Sequence, residues 1–307
     1  MKNTKIVATS PSFSKSKVLQ NRLQSIFPNA ILNKEGIRFN KDELIEFIKD
    51  ADGIIVGLEK IDDEVLEQCP NLKIVSKYGV GLNNIDLDAC KRRNIEIGWT
   101  GGVNRLSVAE MTLGYMLMLS RNLFVTSNQL KKGIWNKSGG FQLSEKTIGI
   151  IGVGHIGKEL VRLLKPFNCR ILVNDIVDQS EYYKQNNLIE VSKEELFQES
   201  DIVTLHVPFD DNTENLVNDE VLEKMRTTAF LINSARGGIV NEDHLKDALK
   251  NNIIACAAID AYVIEPPSDL DFLNYENLIC TPHIGGNSQE AVEAMGLSAI
   301  KHLKEYF

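Results

Sequence analysis

Short apolar runs recur along this chain at intervals that leave room for one helix between successive runs, and this pattern restricts the fold more than any other feature. In the first third the runs are Ile6-Val7-Ala8, Gly53-Ile54-Ile55-Val56, Leu72-Lys73-Ile74-Val75 and Ile95-Glu96-Ile97. A second series comprises Thr147-Ile148-Gly149-Ile150-Ile151, Ile171-Leu172-Val173, Ile202-Val203-Thr204-Leu205, Phe230-Leu231-Ile232, Ala257-Ala258-Ile259 and Leu278-Ile279-Cys280. Strands with no polar face belong to parallel sheets, because crossover helices cover both sides. The expected class is therefore α/β, with a doubly wound sheet in the second series. Between the two series a helix is expected over roughly Asn104 to Asn122, apolar all round and so buried between other elements.

A length of 307 residues suits two domains, each with its own core. The diglycines Gly101-Gly102 and Gly285-Gly286 bracket the second series, either as ordinary loop glycines or as paired hinges. On the hinge reading, a domain of residues 103–283 is inserted into a smaller one made of residues 1–102 and 284–307.

With 43% hydrophobic and 25% charged residues the chain has an ordinary globular composition. Its net charge of -8 argues against general affinity for nucleic acid or anionic membranes. Cys69, Cys90, Cys169, Cys256 and Cys280 are odd in number and lack a CxxC pair, so neither a disulfide framework nor a zinc site is expected. They read as buried free thiols in a reducing cytoplasm. The segment Met1 to Thr9 lacks signal-peptide character, and the apolar stretch Met111 to Leu119 is too short to span a bilayer, which again points to the cytoplasm.

Gly152-Val153-Gly154-His155-Ile156-Gly157 follows the apolar strand and opens a helix-compatible stretch. Gly152 permits a tight turn, Gly154 lets the backbone approach a pyrophosphate, and Gly157 allows close helix packing, while the helix N-terminus attracts the phosphates. Asp175 ends the next strand, where an acid can accept hydrogen bonds from an adenosine ribose. A 2′-phosphate beside it would be repelled, and neighbouring Ile176 and Val177 bring no compensating charge, so the expected cofactor is NAD.

Three later strands are each followed by a residue suited to carbonyl reduction. Arg236, in Asn233-Ser234-Ala235-Arg236-Gly237-Gly238, offers a planar fork for a carboxylate and keto oxygen presented together. Glu265 precedes Pro266-Pro267, and His283 lies in Thr281-Pro282-His283-Ile284-Gly285. If Glu265 and His283 meet, the carboxylate stabilises an imidazolium and orients the ring, leaving its other nitrogen to donate a proton. All three follow strands at one sheet edge, which is where open α/β folds bind ligands.

With these motifs, together with Tyr78-Gly79-Val80-Gly81-Leu82-Asn83-Asn84-Ile85-Asp86, Val108-Ala109-Glu110 and His206-Val207-Pro208, essentially the whole chain resembles the D-isomer-specific 2-hydroxyacid dehydrogenases of the phosphoglycerate dehydrogenase-like branch. The resemblance implies a Rossmann-type NAD-binding domain inserted into a flavodoxin-like, split substrate domain, and a homodimer built on the nucleotide domains. It implies Arg236, Glu265 and His283 as the catalytic trio. Backbone amides around Val80 and Gly81 would hold the substrate carboxylate, with Tyr78, Gly79 and Arg236 also on the substrate side. Asp260, Ser234 and Ala235 would flank the nicotinamide, and His206 and Pro208 the adenosine, with Thr213, Gly285 and His283 also on the cofactor side. The chain departs from the family pattern at Asn83, usually Asp, and at Gly101, usually Pro; altered local stability is expected more than lost chemistry.

The substrate stays open among 3-phosphoglycerate and its keto acid, hydroxypyruvate, glyoxylate, a phosphonate analogue and a sugar-derived keto acid. Lys77 sits where a cation could meet a phosphate, or it is a solvated strand-end lysine; Gly57 stands where the phosphoglycerate branch often offers a second cation. The end at Phe307 leaves no room for the serine-binding domain some relatives append, so feedback through it is not expected. Two rival readings are an NAD-sensing, corepressor-like binding protein and a formate oxidiser on the same fold.

Overall fold

The computed structural model describes residues 4–307, which form two compact units. The smaller runs to Asn104 and resumes at Asn287–Phe307; the larger is Arg105–Gly286.

The smaller unit is built on β1 (Ile6–Ala8), β2 (Ile31–Leu32), β3 (Gly53–Val56), β4 (Ile74–Lys77) and β5 (Glu96–Gly98). All pair in parallel, in the order β2-β1-β3-β4-β5, which is the flavodoxin-like arrangement. Alternate residues feed two cores: Val7, Ile54, Val56 and Val75 into one, and Ile6, Ala8, Ile55 and Ile74 into the other. The helix Gln289–Tyr306, capped by Ser288, buries Met295, Ala299, Ile300 and Leu303 in the second core beside Leu19 and Leu23.

The larger unit holds β6 (Thr147–Ile151), β7 (Arg170–Asn174), β8 (Ile189–Glu190), β9 (Ile202–Leu205), β10 (Phe230–Asn233), β11 (Cys256–Ile259) and β12 (Leu278–Cys280). All are parallel, in the order β12-β11-β10-β9-β6-β7-β8, a doubly wound Rossmann sheet whose winding reverses between β6 and β9. Again the two faces carry separate cores, one with Val203, Leu231 and Ala257, the other with Ile202, Ile232 and Ala258. The helix expected over 104–122 is Arg105–Ser120, and it lays Ala109, Tyr115, Met116 and Leu119 into the second of these cores.

β2 and β8 were not anticipated. Each is a two-residue edge strand, with Leu32 half-buried and Ile31, Ile189 and Glu190 exposed, too short to stand out as a buried apolar run. β4 runs past the expected Val75 through Ser76 and Lys77, both buried; Ser76 Oγ offsets its burial by donating to the Ala299 carbonyl at 2.8 Å. Three of the five expected buried thiols, Cys169, Cys256 and Cys280, are only half-buried, because they lie at strand or loop ends. Burial pushes all five up to about 11, so they stay protonated and unreactive near neutral pH. Among the described residues no helix is long and apolar enough to cross a membrane, and no group of His, Cys, Asp or Glu could hold a metal ion.

Candidate active site

Six strands of the larger sheet end in one row. Asn174 pairs with Ile151, Ile151 with Leu205, Leu205 with Asn233, Asn233 with Ile259, and Ile259 with Cys280. The residues that follow are therefore brought to one sheet edge: Asp175, Gly152, His206, Ser234, Asp260 and Thr281. Every candidate residue of this unit lies in or just beyond that row.

Gly152 has φ +90, and a Cβ there would come within 2.5 Å of the His206 carbonyl oxygen, so the turn out of β6 accepts only glycine. A Cβ on Gly157 would meet the Gly152 oxygen at 2.3 Å, which makes the close approach of helix to turn depend on that glycine too. Gly154 differs: a Cβ there meets nothing within 4 Å, so its backbone faces open space. Gly154 N-caps the helix His155–Leu164 without a side-chain cap bond, and the first helical amides, those of His155, Ile156 and Gly157, have no intrahelical acceptor. Open space over uncapped amides suits the pyrophosphate of a dinucleotide.

Asp175 is fastened to this turn. Its Oδ2 accepts the Val153 amide at 2.6 Å and Gln179 Nε2 at 3.2 Å, and its Oδ1 accepts the Val177 amide. Ile176 is 96% exposed and brings no cation beside the carboxylate. His206 pairs Nε2 with Thr204 Oγ1, while its Nδ1 is buried with no protein partner; burial pushes the ring down to about 3, so it is neutral in the working range. Thr213 Oγ1 donates to the Pro208 carbonyl at 2.7 Å and accepts the Asp210 amide, folding that loop onto itself.

Arg236 leaves β10 through a turn in which Asn233 Oδ1 accepts the Ala235 amide and Asn233 Nδ2 donates to the Arg236 carbonyl. One guanidinium N–H donates to the Ala235 carbonyl at 2.7 Å. A Cβ on Gly237 would fall 2.0 Å from the Tyr262 oxygen, so the arginine turn lies directly against the backbone that leads to Glu265. Burial pushes Arg236 below its ordinary value, and the charge of Glu265 opposes that shift. It remains a cation.

Glu265 and His283 meet: His283 Nδ1 lies 2.8 Å from Oε1 and 3.0 Å from Oε2. A carboxylate accepts only, so Nδ1 carries a proton, and Nε2 is the ring nitrogen that Glu265 does not engage. Glu265 Oε1 also accepts the Tyr262 amide at 3.1 Å, and His283 has φ +53, a strained backbone for a bulky residue that its surroundings must hold.

Asp260 supplies much of that holding. It is buried, and its oxygens accept from Thr281 Oγ1, the Ile284 amide at 2.9 Å and the Gly285 amide at 2.7 Å, spanning the loop that carries His283. Tyr115 OH bonds Thr281 Oγ1, Tyr262 OH donates to the Thr281 carbonyl at 3.0 Å, and Ser107 Oγ donates to the Gly285 carbonyl at 2.6 Å. Thr112 Oγ1 pairs with Ser234 Oγ at 2.9 Å. Sequence reasoning does not single out Ser107, Thr112, Tyr115 or Thr281; for the first three, polar side chains within the otherwise apolar 105–120 segment were the available signal.

In the smaller unit, Tyr78 buries its ring edge-on against Phe13, 5.6 Å between centroids, and its amide is engaged by the Val56 carbonyl at 2.8 Å. Gly79 takes φ +137, and the turn through Val80 and Gly81 is pinned where Trp99 Nε1 donates to the Val80 carbonyl at 2.9 Å. Lys77 is not a solvated strand-end lysine: it is 5% exposed, and its ammonium donates to the Gly57 carbonyl and to Asn84 Oδ1.

A Rossmann sheet with this turn, this acid and this Arg-Glu-His edge defines a dinucleotide-dependent oxidoreductase. The family model described as D-isomer specific 2-hydroxyacid dehydrogenase, NAD binding domain, matches residues 113–285. The chain is 32% identical over 289 residues to hydroxypyruvate reductase of Thermotoga maritima, covering 89% of this chain and 92% of that protein. It is 36% identical over 269 residues to D-3-phosphoglycerate dehydrogenase of Methanocaldococcus jannaschii, covering 86% of this chain but 51% of that one, about half its length. The crystal structure of D-lactate dehydrogenase from Aquifex aeolicus complexed with NAD and lactic acid superposes with a TM-score of 0.85 at 26% identity, over 99% of this chain and 95% of that one. The chain belongs to the D-isomer-specific 2-hydroxyacid dehydrogenase family, a family of NAD-dependent oxidoreductases.

Proposed function

We propose that this chain transfers a hydride between nicotinamide and C2 of a small D-2-hydroxy acid or its 2-keto partner, with Arg236, Glu265 and His283 as the catalytic groups. The observation that carries the reading is the Glu265–His283 pair at 2.8 Å, within the electrostatic reach of Arg236, on the edge where the strands end. When bound, the reduced cofactor supplies the hydride. In the keto-acid direction Arg236 polarises the carbonyl and holds the carboxylate. His283 gives its Nε2 proton to the oxygen as C2 becomes tetrahedral, and Glu265 stabilises the imidazolium beforehand. In the reverse direction the same nitrogen takes the proton from the hydroxyl.

Gly152, Gly154, His155, Ile156 and Gly157 would hold the pyrophosphate, Asp175 the ribose, and the His206–Pro208 segment and Thr213 the adenosine side. Ser234, Ala235, Asp260 and Gly285 would line the nicotinamide side. In the smaller unit, the substrate domain on this reading, the amides of Val80 and Gly81 are the proposed carboxylate donors. Phosphoglycerate, hydroxypyruvate and glyoxylate chemistries all fit this outline.

A homodimer and a cytoplasmic location are also inferred. Leu123, Leu130, Ile134 and Trp135 are 52–78% exposed along one helix and the segment after it, a patch suited to burial against a second copy. Five unpaired thiols fit a reducing compartment.

The test is oxidation of NADH with a panel of 2-keto acids, phosphorylated and not, with NADPH as the control. Turnover of at least one keto acid, and much weaker turnover with NADPH, is expected. Binding of NADH without turnover across the panel would remove the reading. Light scattering of the same sample should give the mass of two chains, and a monomer would remove the dimer.

A further inference from the structure

We propose that Lys77 is a positioning residue for the turn at residues 79–81, and that this chain takes a short 2-keto or 2-hydroxy acid whose far end carries no phosphate. The inference rests on the reaction proposed above and narrows its substrate class.

A buried ammonium needs partners, and Lys77 has them inside the protein. Its Nζ donates to the carbonyl of Gly57, just past β3, and to Asn84 Oδ1 at 2.7 Å. Asn84 Nδ2 in turn donates to the Gly57 carbonyl at 3.2 Å and the Glu59 carbonyl at 2.6 Å. One ammonium and one amide thus tie the loop after β3 to the loop after β4. Gly79 passes directly over the lysine: a Cβ there would stand 3.1 Å from Lys77 Cε. The lysine stem is the floor of the turn. The Tyr78 amide donates to the Val56 carbonyl at 2.8 Å, and Trp99 Nε1 to the Val80 carbonyl at 2.9 Å, fixing its two sides. These groups set where the amides of Val80 and Gly81 stand.

A phosphomonoester near neutral pH brings a charge of about -1.5 to -2 and three acceptor oxygens, and protein sites meet it with cations or several amides. In a sheet of this order, ligands bind beyond the strand ends around β1 and β3. The loops there, residues 9–10, 57–60 and 78–84, carry Glu59 and Lys60 as their charged residues, and Lys77 lies beneath. Lys60 is exposed and lies 3.7 Å from Asp62. Glu59 Oε2 accepts the Gly57 amide at 2.7 Å, so a carboxylate of the chain itself already occupies a strand-end donor that a phosphate would use. A phosphate placed there would displace Glu59 and face its charge, with the lysine ammonium turned to Gly57 and Asn84.

The experiment is initial-rate kinetics with hydroxypyruvate and 3-phosphohydroxypyruvate against NADH, for the wild type, Lys77→Met and Asn84→Ala, with a melting curve for each. For the wild type, kcat/KM should favour the unphosphorylated acid by at least about tenfold. Both variants should lower kcat/KM for the two acids by the same factor, through KM more than kcat, because what they disturb is the shared carboxylate site. If Lys77→Met does not fold, Asn84→Ala keeps the charge and carries the same expectation. Preference for the phosphorylated acid, or a KM increase confined to it in Lys77→Met, overturns the inference while leaving the reaction class standing. No turnover of these two acids or of any other 2-keto acid in the panel by an NADH-binding wild type overturns the reaction class, and this inference with it.

Discussion

Replacing His283 by alanine is expected to lower kcat/KM for the preferred keto acid by ~10² to 10⁴-fold, the range supplied by a positioned general acid. The imidazole is the group whose Nδ1 faces Glu265, at 2.8 Å, and Nε2 is the nitrogen proposed to exchange a proton with substrate. Alanine removes the donor and leaves Asp260 holding the loop through Thr281, Ile284 and Gly285, so the fold of that edge should survive. Loss of turnover should therefore come with NADH binding still measurable by fluorescence titration. Glu265→Gln should act in the same direction more weakly, since an amide can still orient the ring but no longer stabilises its positive charge. A His283→Ala enzyme turning over within a few-fold of wild type would show that the proton comes from elsewhere.

Arg236→Ala is expected to produce the second large loss, on the order of 10²-fold in kcat/KM, because truncating one side of a desolvated charge pair leaves the other charge unmet. The guanidinium is half-buried, with Glu265 as a nearby counter-charge and one N–H donated to the Ala235 carbonyl. Arg236→Lys should recover little, since a point charge cannot reproduce a planar fork. Much of the Arg236→Ala loss should appear in KM, which separates it from His283→Ala. Equal KM values for wild type and Arg236→Ala would contradict a role in holding the carboxylate.

Much of this is legible in the residue order, for physical reasons that also mark where that legibility ends. The long central strands announce themselves because burial on both faces requires continuous apolar runs such as Ile148–Ile151 and Phe230–Ile232. β2 and β8, two residues each at sheet edges, bury too little to leave such a trace. The candidate trio could be picked out because each member follows a strand, and parallel strands of similar length deliver their C-terminal loops to one edge. What holds the trio could not. Nothing in the residue order indicates that Asp260 reaches the amides of Ile284 and Gly285, or that Tyr115 meets Thr281 across more than a hundred and sixty positions. Lys77 shows the same limit: a lysine ending a strand reads as a surface charge, and only packing reveals it as a buried clasp.

The central claim is that C2 of a D-2-hydroxy acid is the hydride centre. It is tested most directly by supplying NAD with the separate D and L enantiomers of one 2-hydroxy acid, chosen as the alcohol of the best keto substrate, and following NADH formation. The account predicts formation with the D enantiomer, lost in His283→Ala, and none above background with the L enantiomer. Formation from the L enantiomer, or equal formation from both, would contradict it.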